Sequence, residues 1–211
     1  MQIKQFTFNP FQENTYIVYN DEKEALIIDP GCYTEDEEIK LNEFIVSNGL
    51  SVKLMVNTHL HIDHVFGNDF VEKQYNVKAS ANRDDEFWLK GIEAQARMFG
   101  LPLRHPATTI GHYIQENDKL TLGSDVFEIF QVPGHSPGSI ILYNANDKCV
   151  FVGDVLFQGS IGRSDLQGGN YQILIEGIQS KLLTLPDETT VYCGHGPATT
   201  IGKEKTSNPF I

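Results

Sequence analysis

Four apolar runs in this chain each lead to a side chain that can ligate a metal. Leu54-Met55-Val56 leads to His59, Phe130-Gln131-Val132-Pro133-Gly134 to His135, Val150-Phe151-Val152-Gly153 to Asp154, and Val191-Tyr192-Cys193-Gly194 to His195. Such runs read as core strands, and in three of them a glycine permits a sharp turn just before the polar residue. Ligand-type residues from distant sequence are thereby delivered to one edge of a sheet core, where the sites of layered α/β proteins gather.

The first run opens into the densest polar stretch, Thr58-His59-Leu60-His61-Ile62-Asp63-His64. At about 100° per residue a helix would put His59 and His61 on nearly opposite faces, whereas residues two apart in an extended segment point the same way. This pair therefore belongs to a strand end or loop. Asp63 and His64 precede Val65 to Val71, a segment able to start a short helix, and so aim in a second direction. With His135, Asp154 and His195 the set reaches seven residues, too many for one tetrahedral ion and enough for two. Structural zinc is more often closed by four Cys or His ligands, whereas mixed imidazole and carboxylate ligation leaves room for water. It also accommodates zinc, iron or manganese. His105 and His112 end no core run and are expected to have no ligand role. Asp29 ends an apolar run too, and reads equally as a hydrogen-bond partner of a ligating side chain or as a turn residue before Pro30-Gly31.

A length of 211 residues suits one domain with a large core. Strands are expected at Ile3–Phe8, Thr15–Tyr19 and Ala25–Asp29. A helix follows, capped by Thr34 with Glu37, showing Ile39, Phe44 and Ile45 on its apolar face and ending at Gly49. Next come a helix from Asn68 to about Tyr75, a short strand at Val77–Ala79, and a helical stretch from Arg83 to Phe99 with Phe87, Leu89, Ala94 and Met98 at apolar positions. Residues 83–112 read as a helical insertion able to cover a site. Strands resume at Val126–Val132, Ser139–Tyr143 and Cys149–Val152, followed by a helix from about Asn170 to Leu183 and a strand at Thr189–Cys193. Thr15–Asp29 and Ser139–Asp154 share a pattern that hints at two related halves.

Lys+Arg 16 against Asp+Glu 28 gives a formal charge of 16 − 28 = −12, which repels phosphate backbones and argues against nucleic acid as a partner. The three cysteines are too few for a disulfide framework, and Cys149 and Cys193 lie in apolar runs that read as buried strands. The N-terminus lacks the apolar core of a signal peptide, and no run approaches a membrane span. A soluble, unprocessed, cytoplasmic protein acting on a small molecule is expected.

The H-x-H-x-D-H of His59 to His64, with His135, Asp154 and His195 in that order, resembles the metallo-β-lactamase superfamily nearly end to end. The resemblance implies an α/β fold, the αββα four-layer sandwich: two sheets face to face, helices outside, a dinuclear site at one edge. Carried over residue by residue, His59, His61 and His135 would hold one of two divalent ions, Asp63, His64 and His195 the other, and Asp154 would bridge them, with zinc the expected metal. The bridging aspartate and the Asp-His pair resemble the hydroxyacylglutathione hydrolases (glyoxalase II), and Gly153–Phe157 with Gly159–Asp165 looks most like their short bacterial branch.

That family implies thioester hydrolysis by a hydroxide between two cations, with Asp63 and Asp154 positioning metals and hydroxide and Arg163 receiving the substrate's acidic end. Two departures bear on the substrate. Longer members carry a C-terminal helical domain that contributes to glutathione binding, whereas this chain ends sixteen residues after His195. Asp165 falls where a tyrosine is frequent and offers Arg163 a partner of its own. Two other activities share the motif. Persulfide dioxygenases hold a single iron through two His and an Asp, here His59, His135 and Asp154, and carry a Gly-Arg-Thr-Asp stretch close to Gly162-Arg163-Ser164-Asp165. Lactonases open cyclic esters at the same dinuclear site.

Overall fold

The apolar runs settle into two six-stranded sheets in the computed structural model, which describes residues 1–211. The first sheet takes β1 (Gln2–Phe8), β2 (Glu13–Tyr19), β3 (Glu24–Ile28), β4 (Ser51–Val56), β5 (Ala79–Ala81) and β6 (His112–Tyr113) in chain order. The second is built from β7 (Lys119–Leu122), β8 (Asp125–Gln131), β9 (Ile140–Asn144) and β10 (Cys149–Gly153). A small hairpin, β11 (Leu156–Phe157) and β12 (Ser160–Ile161), then intervenes before β13 (Thr190–Cys193) and β14 (Thr199–Thr200) complete the second sheet in the order β14-β13-β10-β9-β8-β7.

Consecutive residues of one strand serve opposite faces. Val18, Leu26, Ile28 and Val56 point inward and meet Phe127, Ile129, Leu142 and Phe151 of the facing sheet. Ile17, Ile27 and Met55 point outward against Leu41 and Ile45 of α1 (Glu35–Ser47) and, across α2 (Ile62–Val65), Val71 of α3 (Asn68–Tyr75). On the other outer face Val132, Ile141, Val150 and Val152 pack on Leu174, Ile178 and Leu182. Both faces of each sheet are thus buried, which is why the central strands are apolar throughout rather than alternating. The layers run helix, sheet, sheet, helix, the αββα sandwich expected.

The two halves repeat one device. β2 and β3 pair antiparallel and β3 and β4 parallel, as do β9 with β10 and β10 with β13. In the first half the parallel pair ends at Asp29 and His59, and in the second at Asp154 and His195. The edge between the halves is stitched shut: Asn14 N–H donates to the Gly194 carbonyl at 2.7 Å, its side-chain amide to the Cys193 and Gly196 carbonyls, and the Tyr16 hydroxyl to the Cys193 carbonyl at 2.7 Å.

Three local expectations change. Ile39 is 47% exposed, because the buried stripe of α1 runs through Glu38, Leu41 and Ile45 and Ile39 sits about 100° off it. The 83–99 stretch is a 3-10 turn (Arg83–Asp85), α4 (Glu86–Lys90) and α5 (Ile92–Phe99), broken at Gly91, where helix propensity is lowest. The last long helix is α6 (Tyr171–Gly177) running into a π turn (Ile178–Leu182), and α7 (Ile201–Ser207) follows β14. No helix is long and apolar enough to cross a membrane.

Candidate metal centre

Beyond Val56 the chain stays extended through His61, whose backbone (φ −65°, ψ 151°) forms the N-cap of α2. The extended segment turns His59 and His61 toward His135, and the short helix swings Asp63 and His64 toward His195. Two groups result, His59 with His61 and His135, and Asp63 with His64 and His195, each with its ligand atoms within 4.8 Å of one another. His59 Nε2 lies 3.2 Å from His135 Nε2. Asp154 sits between the groups, with carboxylate oxygens 3.6 Å from His135 Nε2 and 3.5 Å from both His64 Nε2 and His195 Nε2. All seven residues expected from the sequence therefore meet at one edge of the sandwich.

The far side of four rings is fixed by the protein. His135 Nδ1 faces the Arg163 carbonyl at 2.7 Å, His195 Nδ1 the Phe11 carbonyl at 3.1 Å, His64 Nδ1 an Asp29 oxygen at 3.1 Å and His59 Nδ1 the Thr58 hydroxyl at 3.2 Å. Such partners set the tautomer and aim the Nε2 lone pairs inward. Asp29 thus takes the partner role: it also accepts from Thr58 N–H at 2.7 Å and Thr58 Oγ at 2.6 Å. Asp29, His59 and His64 converge within 4.8 Å as well, but these hydrogen bonds already satisfy the atoms involved.

The atoms facing the centre are not satisfied. His61 Nε2, His64 Nε2 and Asp154 Oδ1 are buried with no hydrogen-bond partner. Buried polar atoms rarely stay unpaired, and three within the clustered residues, all lone-pair donors or able to become so, suit cations. The donor set of imidazoles and carboxylates fits divalent metals.

Electrostatics separate the two groups. Burial, reinforced by neighbouring imidazoles, holds His59 well below the usual histidine range and pushes His61 down to about 3, so both rings are neutral. Burial opposes charge on His64 and His195 too, but the carboxylates of Asp63 and Asp154 outweigh it, holding His64 well above its usual range and His195 at about 10. In return Asp154 stays far below the usual carboxylate range despite its burial, with His64 the largest opposing influence.

Three contributors carry no sequence signal. Asp85 is fully buried and accepts from Leu60 N–H at 3.0 Å, Ser136 Oγ at 2.5 Å and Gly138 N–H at 2.6 Å, clamping the His59–His61 loop to the His135 loop. Trp88 donates its indole N–H to Ser136 Oγ at 3.0 Å and meets the His61 ring at 4.7 Å. Glu13 is fully buried, with Oε1 4.0 Å from His64 Nδ1, and burial pushes its carboxyl well above the usual range. Its own contacts, a bond from Thr15 Oγ and a close approach to Gly31 where no Cβ would fit, come from elements folded together in space.

A cavity of about 220 Å³ opens beside the centre, walled by Phe11, Trp88, Met98, Phe99 and Leu166, with Arg163 at its lining. The Arg163 guanidinium makes two 2.8 Å bonds to Asp165. His105 lies away from the centre, between Glu38 (2.7 Å) and Asp69 (3.1 Å), and His112 is exposed in β6. Cys32, Cys149 and Cys193 are all buried and free.

Fold and centre together define a metal-dependent hydrolase sandwich, and the comparisons agree: the model of the metallo-beta-lactamase superfamily matches residues 8–195, and the chain belongs to that family. Among individual proteins, it is 40% identical over 212 residues to hydroxyacylglutathione hydrolase GloC of Haemophilus influenzae, covering 100% of this chain and 98% of that one. The solved structure of BLEG-1 B3 metallo-beta-lactamase superposes with a TM-score of 0.91 at 38% identity, over 99% of both chains. TTHA1623 in a di-iron-bound form superposes with a TM-score of 0.87 at 36% identity, over 99% of this chain and 100% of the other. The chain is a metallo-hydrolase of this superfamily.

Proposed function

We propose that this protein is a dinuclear metal-dependent thioesterase of the hydroxyacylglutathione hydrolase type. The observation that carries this reading is the pair of three-residue groups on either side of Asp154, with the orphaned atoms of His61, His64 and Asp154 turned to the space between them. The relative named hydroxyacylglutathione hydrolase, at 40% identity, supports the reaction class.

His59, His61 and His135 would hold one divalent ion, Asp63, His64 and His195 the other, with Asp154 shared; zinc suits the set, and iron, which a similar structure holds, or manganese suits it too. Bound there, the ions would supply Lewis acidity and lower the pKa of a water by about eight units. The chain's own residues do the rest. The neutral rings of His59 and His61 present lone pairs without competing for a proton. Asp63 and Asp154, both held ionised by His64, accept hydrogen bonds from the attacking water and set its orientation toward the acyl carbon. Phe11, Trp88 and Phe99 give the approach to the centre an apolar wall, and because water is itself the nucleophile no protein nucleophile is needed. The substrate is a small molecule; the acidic surface disfavours nucleic acid.

A single-iron oxygen chemistry would need only His59, His135 and Asp154. The second group, with Asp63 and His195 3.2 Å apart, favours hydrolysis. Elemental analysis should give two metals per chain, and S-lactoylglutathione turnover should fall about a hundredfold or more in Asp154→Asn. Unchanged metal content and turnover in that variant, or one iron per chain with oxygen uptake on a persulfide, would overturn the reading.

A further inference from the structure

The cavity beside the centre has two unlike surfaces. Its floor is the cluster of imidazoles and carboxylates, and its wall is apolar. On that wall Met98 and Phe99, at the C-terminal end of α5, remain 67% and 44% exposed, whereas Ile92, Gln95 and Ala96 of the same helix are buried. Phe99 is not loose: its ring meets Phe11 edge-on at 5.0 Å, so the β1–β2 turn and α5 are joined over the cavity. Trp88 is locked from behind by its bond to Ser136. The cavity measures about 220 Å³, and an engineered apolar cavity of about 150 Å³ is enough to hold benzene.

Lysine and arginine are scarce on this lining. Arg163 is the one Lys or Arg side chain on the lining, and both its Nε and an Nη are already on Asp165. That pairing holds the Asp165 carboxyl down at about 2, so the partner stays charged and the pair is neutral overall. Three of the four Lys and Arg residues of the neighbouring 83–112 segment are likewise paired, Lys90 with Glu86, Arg97 with Glu93 and Arg104 with Glu38, and the fourth, Arg83, lies over the Tyr113 ring. A substrate carboxylate would find only the remaining Nη donors of Arg163, whose charge Asp165 already balances, in a chain of net charge −12.

We propose that this cavity selects thioesters by an apolar, ring-sized acyl group, and that the thiol half is recognised without charge. The inference rests on the thioester reading and narrows it: the preferred substrates are aryl- or branched-acyl thioesters of an uncharged thiol. The reaction is hydrolysis. Water adds its oxygen to the acyl carbon, the C–S bond breaks, the sulfur leaves and takes up one proton, and the acid released loses the other to solvent, with no oxidant or reductant.

The test uses four substrates, lactoyl and mandeloyl thioesters each on glutathione and on N-acetylcysteamine, with the metal-loaded protein. Mandeloyl replaces the methyl of lactoyl with phenyl. The expected result is kcat/KM at least about tenfold higher for mandeloyl on either thiol, since even one methylene in an apolar pocket discriminates about tenfold or more, and a change of under about threefold between thiols. Phe99→Ala should cut the mandeloyl preference. Asp165→Ala, which frees Arg163, should improve the glutathione thioesters selectively.

A second readout needs no turnover. Trp88 is the only tryptophan, so its fluorescence reports occupancy of the cavity when the chain is titrated with S-benzyl- and S-methyl-N-acetylcysteamine, two thioethers that cannot be hydrolysed. Tighter binding of the benzyl thioether is expected. If no thioester is cleaved yet the benzyl compound binds more tightly, the thioesterase reading fails and the cavity's preference stands. If thioesters are cleaved with no mandeloyl preference, or with glutathione favoured tenfold, the inference is overturned and the thioesterase reading survives. Failure of both measurements overturns both.

Discussion

Asp85 offers the sharpest test of how the centre is held together. Its carboxylate joins the His59–His61 loop, through Leu60 N–H, to the His135 loop, through Ser136 Oγ and Gly138 N–H. In Asp85→Asn the side chain keeps its volume and one oxygen. That oxygen can serve Ser136 and Gly138, which leaves the new NH₂ facing the Leu60 N–H, donor against donor. One buried unsatisfied donor costs about 1–3 kcal/mol. A loss of about 2 kcal/mol corresponds to a fall in Tm of roughly 4–8 °C for a chain of this size. Asp85→Ala strands all three donors and should cost more, about 3 kcal/mol or above. Because His59, His61 and His135 lie on the two clamped loops, their spacing should loosen as well, weakening metal binding by about 10–100-fold. Calorimetry of chelator-treated protein and competition titration with a coloured chelator measure the two effects.

The pH dependence has a definite sign. Burial, the largest influence, raises the folded-state pKa of Asp85 above its unfolded value. Its stabilising contribution is therefore complete below the unfolded pKa and is lost as pH rises through the folded one. The stability gap between wild type and Asp85→Asn should accordingly shrink from about pH 4 upward. An Asn variant with Tm within a degree of wild type and unchanged metal affinity would show that Asp85 only fills space.

Gly194 leaves no room for a side chain: a Cβ there would stand 2.2 Å from Asp154 Oδ1 and 2.8 Å from His64 Cε1. Gly194→Ala should push the shared carboxylate aside and drop metal content below two per chain by elemental analysis. Hydrogen bonds to Asp154 and Asp63, overcoming burial, hold His195 protonated up to about pH 10 in metal-free protein. Metal must displace that proton and the one on His64, which is likewise held above the usual histidine range, so apparent affinity should rise about tenfold per pH unit for each proton released between pH 6 and 8, and a pH-independent affinity would refute the assignment. Removing metal from protein saturated a thousandfold above Kd should cost about 4 kcal/mol, seen as a lower Tm in the presence of chelator and restored on re-addition.

The legible part of the site is the part written locally. A ligand that follows an apolar strand through a glycine, as with His135, Asp154 and His195, announces both its strand and its place at the sheet edge. His59 to His64 shows its loop-then-helix geometry in its own spacing. The two-layer pairing is legible for the same reason, since the hairpin-plus-parallel unit recurs in both halves. Asp85 was invisible because its three donors lie 25, 51 and 53 residues away, and an acidic residue at a helix start is ordinary. Glu13 reads as a polar turn residue until Gly31 and His64 close around it. The interruption at Gly91 has a local cause in glycine's low helix propensity, yet an isolated glycine within a helical pattern is often tolerated, so the pattern alone does not compel a break. Ile39 faces solvent because the shallow amphipathic pattern of α1 admits two registers and the packing of Leu41 and Ile45 decides between them.

The stitches between Asn14, Tyr16 and the Cys193–Gly196 strand end join backbone 179 residues apart. During synthesis, at about 5–20 residues per second, the segment bearing His195 emerges on the order of ten seconds after the His59–His64 motif. Throughout that interval the nascent chain displays a histidine cluster whose second half is not yet made. The triad of Asp63, His64 and His195 can close only when β13 docks beside the first hairpin, so on the proposed function uptake of a second ion would wait for that docking. A copy cut short before His195 would lack one member of that triad.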